Sequence, residues 1–422
     1  MHTFTSVFLS FLAASVLVRL WLTHRQLRHI RAHHAQVPTA FADRISLTEH
    51  QRAADYSCSK LRSGRIMLAW ETLWLLLWTI GGGINLVDRW WAGLDYAPLL
   101  TGIAVILSLT LISSILDLPF SLYNTFVIEA RFGFNKTTLK TWVIDLLKTA
   151  LLVVLLGVPL LAAILWLMNQ AGELWWVYAW LLWMTFTLTM IWAYPAFIAP
   201  LFNTFSQLEN SSLRARIEDL LSRCGFHSQG VFVVDGSRRS AHGNAYFTGF
   251  GKNKRIVFYD TLLESLSEDE VEAVLAHELG HFKRKHIRTS LMLSSAISAI
   301  GFALLAWLMR SDWFYSALGV ETASTHAALI LFMMIMPAFT YFISPLFSAL
   351  SRKHEFEADE FAHLNSDYRA LISALVNLYR DNASTLTPDP LHSMFYDSHP
   401  PATIRINHLQ QIAANGSSRP AA

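Results

Sequence analysis

The sequence predicts a mainly α-helical membrane protein in which seven apolar helices cross the bilayer and one side carries a small sheet-containing unit. Three observations carry that expectation. Of 422 residues, 53% are hydrophobic and 15% charged, and the mean hydropathy is +0.35, too apolar for a chain that water alone must solvate. Apolar runs near the length that spans bilayer hydrocarbon, about 20 residues, recur near 4–22, 66–87, 98–120, 142–168, 174–200, 290–309 and 325–350. Between the fifth and sixth runs lies a polar stretch with short β-branched and aromatic segments. The chain thus divides into 1–200 with spans one to five, 201–289 with the sheet-containing unit, 290–350 with spans six and seven, and a polar segment 351–422.

The first run opens on Met1-His2-Thr3 without Lys or Arg and is followed by basic residues, the pattern of a retained anchor rather than a cleaved signal. Orientation follows from loop charge. Arg25, Arg28, Arg31, Arg44, Arg52, Lys60, Arg62 and Arg65 follow span one, and Arg131, Lys136 and Lys140 follow span three. The alternate loops hold only Arg89 and Arg310. The positive-inside rule therefore puts the loops after spans one and three, segment 201–289 and the C-terminal segment on the cytoplasmic side. Glu71, Asp117, Asp145 and Lys148 fall inside spans. Such charges face a bundle interior or a cavity, either as structural pairs, with Asp145 and Lys148 able to meet at i,i+3, or as substrate-handling groups. The basic stretch His24–His34 reads as a solvated or headgroup-facing helix.

A net charge of +2 and the lack of interleaved basic and aromatic residues exclude a nucleic-acid partner. The two cysteines, Cys58 and Cys224, fall in segments assigned to a reducing compartment, which excludes a disulfide framework. A metal, if held, needs His and carboxylate ligands.

Within 201–289, Gly230–Val234 and Arg255–Tyr259 have strand character, and Ala245–Phe250 precedes the turn-like Gly251-Lys252-Asn253-Lys254. Two of these segments can form a hairpin. Ser267-Glu268-Asp269-Glu270 is a capping box with an acidic first turn, and the helix it starts runs through His277 toward His286. On it lies His277-Glu278-Leu279-Gly280-His281. Histidines four apart share one helix face and can bind one Zn2+ ion, with Glu278 at the edge of that face. A zinc ion acidifies a water toward neutral pH, and a carboxylate beside it can take the proton during attack on a peptide carbonyl. A hydrolytic site needs a third ligand. Glu355-Phe356-Glu357-Ala358-Asp359, just past span seven, offers Glu355, with His354 as a rival and Asp359 one turn on as a hydrogen-bond acceptor for a ligand histidine.

The run Glu270 to Lys283, together with Glu355–Asp359, strongly resembles the type 1 CAAX prenyl protease family, integral-membrane zinc metallopeptidases of the gluzincin kind. Phe132-Gly133-Phe134-Asn135-Lys136, Pro200-Leu201-Phe202-Asn203, Ser240-Ala241-His242-Gly243-Asn244-Ala245-Tyr246-Phe247 and Ser398-His399-Pro400-Pro401 with Arg405 extend the resemblance over most of the chain. It implies seven helices in a barrel around a water-filled chamber, with zinc at its cytoplasmic end held by His277, His281 and Glu355. It further implies Asp359 behind the ligands, an edge strand at Asn244, Ala245 and Tyr246 for an extended substrate, and His399 and Arg405 near the metal. His399 would serve the oxyanion, and Arg405 the oxyanion or the ligand shell. By itself, Ser398 before two prolines is an ordinary helix start.

The expected function is a zinc endopeptidase acting on peptides or proteins, prenylated ones among them, at the cytoplasmic membrane face as a single chain. Two alternatives stand beside it: an HtpX-like quality-control protease of membrane proteins, and a transporter or scaffold with structural zinc. The tail Ser417–Ala422 shows no lysine-based retrieval signal, which favours a bacterial inner membrane over the endoplasmic reticulum.

Overall fold

The computed structural model describes residues 2–226, 228, 230–248 and 255–416, so the turn at 251–254 and the tail 417–422 lie outside the described residues. Six helices are long and apolar enough to cross a membrane, and a bent pair makes a seventh crossing. They are α1 (Thr3–Ala32), the pair α2 (Leu47–Trp78) and α3 (Gly83–Ala92), α4 (Pro98–Glu129), α5 (Leu139–Gln170), α6 (Gly172–Phe202), and, after the sheet-containing unit, α9 (His286–Leu308) and α10 (Thr325–Asn365).

The expected second span, 66–87, needs correction. A capping box of Ser46 and Glu49 starts α2 far upstream, and the helix stops at Trp78 because Gly82 takes a φ of +79°, after which α3 leaves at 49°. Two further helices carry wide π-turns beside prolines, Val153–Gly157 ahead of Pro159 and Tyr194–Ile198 around Pro195. Proline has no N–H to give the preceding turn, and a widened turn absorbs that defect.

The apolar core of the bundle sits at one end. Its members include Phe8 and Leu12 at the start of α1, Trp78 at the end of α2, Val105 and Leu109 early in α4, Ile164 and Met168 late in α5, Trp175 early in α6 and Leu305 late in α9. At the other end the helices stand apart. No residue of 139–157, 180–198 or 287–304 is buried. These stretches, exposed along their length, suit the wall of a barrel, whose helices meet lipid outside and water inside. Within the bundle Arg19, Glu71 and Asp117 line a cavity of about 290 Å³. Asp145 and Lys148 do not meet: Asp145 accepts two hydrogen bonds from Arg239, at 2.8 and 3.0 Å, and Lys148 donates to the Leu201 carbonyl. A guanidinium fork matches a carboxylate better than an i,i+3 ammonium does.

The unit at the open end holds β1 (Phe205–Gln207), α7 (Ser211–Arg223), β2 (Val231–Val234), β3 (Ala245–Thr248), β4 (Arg255–Tyr259) and α8 (Glu268–Lys283). The sheet order is β1-β2-β4-β3, with β2 and β4 parallel and the outer pairs antiparallel. The expected strands are present, and β3 and β4 pair antiparallel as a hairpin requires. Strand β1 was not expected, since three residues are too short to show alternation. Helix α8 begins at the Ser267–Glu270 capping box and ends at Lys283, not at His286 as expected, because Lys285 adopts a φ of +60°.

Three helices follow the last span among the described residues: α11 (Tyr368–Asp381), a short one at Pro390–Tyr396, and α12 (Ala402–Gly416). Val271, Leu275 and Leu279 of α8 pack with Ile217 and Leu220 of α7, Phe258 of β4 and Leu371 and Leu375 of α11. The opposite face of α8 meets α10 at minimal separation: a Cβ on Gly280 would stand 2.8 Å from the Ala358 Cα. Gly280→Ala is expected to force the two helices apart at a cost of about 1–3 kcal/mol, read as a lower melting temperature and a weaker grip on metal in chelator competition.

Candidate active site

Helix α8 presents His277 and His281 from one face because they are one turn apart. The close approach at Gly280 brings that face against Glu355 of α10, and the three side chains form a cluster of candidate metal donors. His277 Nε2 and His281 Nε2 stand 3.3 Å apart, and each faces its own oxygen of the Glu355 carboxylate, His277 Nε2 at 3.4 Å from Oε2 and His281 Nε2 at 3.3 Å from Oε1. Ligands about 2.0–2.1 Å from one zinc ion at tetrahedral angles are about 3.3–3.4 Å apart. The donor set therefore fits zinc by chemistry and by spacing. Glu355 Oε2 is also a buried oxygen with no hydrogen bond, although His277 and Arg405 lie near it, and such an orphaned acceptor requires a partner.

Behind the cluster is a buried charge network. His277 Nδ1 lies 2.8 Å from Asp359 Oδ1, which leaves its Nε2 facing the cluster. Arg405 of α12 donates to Asp359 through Nε at 2.8 Å and Nη2 at 2.5 Å, and its Nη1 lies 3.2 Å from Glu355 Oε2. Burial and the Arg405 charge push the His277 imidazole down, but Asp359 and Glu355 outweigh them and hold it up at about 9. Burial likewise opposes the Arg405 charge, and Asp359 and Glu355 outweigh that too.

Other expected residues are arranged around this centre. Glu278 is half-buried and has no hydrogen bond or ion pair to a described residue. His399 is largely exposed and places Nε2 3.3 Å from Glu355 Oε1. It sits in a turn held by Arg352, which donates to the carbonyl of Asp397 at 2.8 Å. Ala245 and Tyr246 lie in β3, an edge of the sheet, with Asn244 just before it. The Asn244 carbonyl accepts from the Tyr259 N–H at 3.0 Å, so antiparallel alternation turns the backbone groups of Ala245 and Phe247 to the open side.

Comparisons with known proteins agree on one family. Residues 207–413 match the model of peptidase family M48, and residues 26–204 match the CAAX prenyl protease N-terminal region of five membrane helices. The chain belongs to peptidase family M48. A CAAX prenyl protease 1 homolog of Arabidopsis thaliana is 41% identical over 70% of this chain and 70% of its own. One from Caenorhabditis elegans is 32% identical over 97% and 98% of the two chains, and one from Homo sapiens is 34% identical over 72% of each. The crystal structure of S. mikatae Ste24p overlays with a TM-score of 0.90 at 30% identity, covering 97% of this chain and 99% of that one.

This M48 chain is therefore a multi-pass membrane metalloendopeptidase. Its plant, worm and human relatives give no support to a bacterial inner membrane over the endoplasmic reticulum. Sequence reasoning missed His286. The left-handed Lys285 turns the chain back so that His286 Nδ1 stands 3.0 Å from His281 Nδ1, while its Nε2 stands 2.9 Å from Glu357 Oε2. One consistent set of tautomers passes hydrogen bonds from His281 to His286 to Glu357 and leaves His281 Nε2 unprotonated. The rival ligand His354 stacks on His286 at 4.0 Å and stays outside the donor cluster. No sequence signal distinguishes these roles, because they depend on a reversal set by one residue's φ.

Asp359→Ala leaves Arg405 buried without its main partner and frees His277 Nδ1. The expected result is a loss of about 3–5 kcal/mol in stability and of about 10–100-fold in metal affinity, measured by thermal unfolding and chelator competition.

Proposed function

We propose that this M48 peptidase hydrolyses peptide bonds at the cytoplasmic membrane face, with zinc held by His277, His281 and Glu355 and with Glu278 as general base. The observation that carries the reading is the donor cluster beside Glu278, a carboxylate with no side-chain partner among the described residues. When bound, zinc supplies the Lewis acidity that makes a water nucleophilic near neutral pH and polarises a carbonyl. The remaining work falls to the chain's own residues. Glu278 follows a ligand histidine directly and is free to accept the proton of the attacking water and pass it to the leaving amine. His399, exposed at the mouth of the cluster, is aimed to donate a hydrogen bond to the developing oxyanion. Arg405 and Asp359 hold the His277 ring in its ligating orientation. An extended substrate adds to the open side of β3, where the Ala245 carbonyl and the Phe247 backbone offer hydrogen bonds, Asn244 Oδ1 holds the Ala245 N–H at 2.8 Å, and Tyr246 flanks them.

The cytoplasmic assignment rests on the basic loops at the open end of the barrel. For substrate, the names of the relatives point first to prenylated CAAX proteins. A chamber enclosed by the barrel would shelter a lipidated segment from water. One chain supplies every group named.

Glu278→Ala is expected to keep its zinc and lose at least about 10²–10⁴-fold in peptide cleavage, measured on farnesylated and unprenylated CAAX peptides with metal analysis of the same preparations. Undiminished cleavage would remove Glu278 as base. Cleavage of the unprenylated peptide alone would replace prenyl processing with general proteolysis. Chelation of wild-type enzyme is expected to abolish activity, and added Zn2+ to restore it.

A further inference from the structure

Three of the sequence motifs have no part in the chemistry above: Phe132–Lys136, Pro200–Asn203 and Ser240–Gly243. In the fold they meet. Segment 239–243 leads directly into Asn244 and β3, and nearly every residue of it is tied to another element. Arg239 reaches Asp145 of α5 and donates to Asn203 Oδ1 at 3.0 Å. Its carbonyl accepts from the Lys136 N–H at 3.1 Å. Ser240 pairs with Asn135 as an isolated bridge, and the Ala241 N–H donates to the Phe134 carbonyl at 3.1 Å.

His242 is held on every side. Its ring stacks on Phe134 at 4.2 Å with 13° between planes. Nδ1 lies 3.1 Å from Asn382 Oδ1, which also accepts from the Gly243 N–H at 3.1 Å. Nε2 lies 3.4 Å from Glu129 Oε2, and the other oxygen of that carboxylate accepts from Tyr56 Oη at 2.6 Å. The His242 carbonyl accepts from Thr261 Oγ1 at 3.0 Å. Tyr56 belongs to α2, Asn382 caps the end of α11, and Glu129 closes a π-turn of α4. Such turns place side chains that a regular helix would not. None of these groups reaches the donor cluster. What they fix is the backbone that enters the edge strand.

We infer that His242, clamped by Tyr56, Glu129, Phe134 and Asn382, is a positioning residue that sets the register of β3 against incoming peptide and locks it to the ends of α2 and α4. The inference rests on the reading of β3 as the substrate edge. Strand register is weakly specified where few side chains fix it, and a slip along the strand changes which bond faces the chemistry. A clamp immediately before a four-residue edge strand removes that freedom. Because α2 and α4 are spans of the bundle, the same contacts tie the membrane helices to the strand on which the substrate lies.

The test compares His242→Ala, Asn382→Ala and the milder Tyr56→Phe, each as full-length enzyme, on the CAAX peptide that wild type cleaves better. Zinc content, melting temperature, kcat, KM and product masses are read for each. The expected result for His242→Ala and Asn382→Ala is a KM raised about tenfold, kcat within about twofold, unchanged zinc, and minor products cut at bonds next to the normal one. Tyr56→Phe is expected to shift KM in the same direction by less and to melt as wild type does. Normal KM with single-site cleavage in all three overturns the inference. So does a fall in kcat that tracks lost zinc or lost stability, since that is a structural role only. Ala245→Pro, whose ring replaces the open-side N–H that Asn244 Oδ1 holds and blocks a peptide from adding at that edge, separates the two ideas. If it raises KM while the clamp variants do not, the inference alone fails; if it leaves KM unchanged, the edge-strand reading itself fails.

Discussion

Everything at the catalytic end depends on how closely α8 and α10 approach. With no side chain at Gly280, the backbone of α8 rests on Ala358, where a Cβ would be 2.8 Å from the opposing Cα. That contact carries Glu355 to within 3.4 Å of His277 Nε2 and 3.3 Å of His281 Nε2. It also sets Asp359 beneath His277, where the carboxylate is buried. A buried carboxylate needs a cation, and Arg405 supplies it from α12. One steric allowance thus joins three segments far apart in sequence.

The same economy explains why the bundle and the peptidase unit are not separable bodies. The large apolar core of the membrane helices lies at the end away from the sheet, and the open end has only small clusters such as Leu27, Ile30, Ala54 and Cys58, so it relies on other ties. Arg239 with Asp145, His242 with Glu129 and Asn382, and Arg25 with Asp389 are such ties, each linking a segment outside the bundle to the end of a span or its neighbour. Several are partly exposed, where an isolated ion pair contributes little. Their value lies in geometry, since hydrogen bonds converging from different helices leave the held backbone one position. A hollow barrel has no central core to do this work.

The legibility of the chain varied with the range of the interaction. Apolar runs announced the spans, because length and hydropathy are local properties, although α2 begins well before its apolar part and breaks at the glycines after it. The capping boxes at Ser46 and Ser267 are likewise local. The pair His277 and His281 was readable from helix period alone. Spacing past span seven favoured Glu355 over His354 only weakly, and the resemblance strengthened that choice, since both lie on one helix and spacing does not say which one faces α8. His286 and the pairing of Asp145 with Arg239 were not readable, because each depends on a chain reversal or a contact between distant segments.

By itself, then, the sequence determined the solvent, the crossings and the chemistry: a chain this apolar needs lipid, and an HExxH helix with a carboxylate downstream offers zinc-binding donors. Those follow from composition and from periods of a few residues. Tertiary structure alone decided which carboxylate completes the donor cluster, which histidine stands behind His281, and which contacts hold the strand beside the site. The reason is physical. Donor atoms must agree to within a few tenths of an ångström to share one ion, and positions so fine are set by packing between helices such as α8 and α10, not by the local preferences of either one.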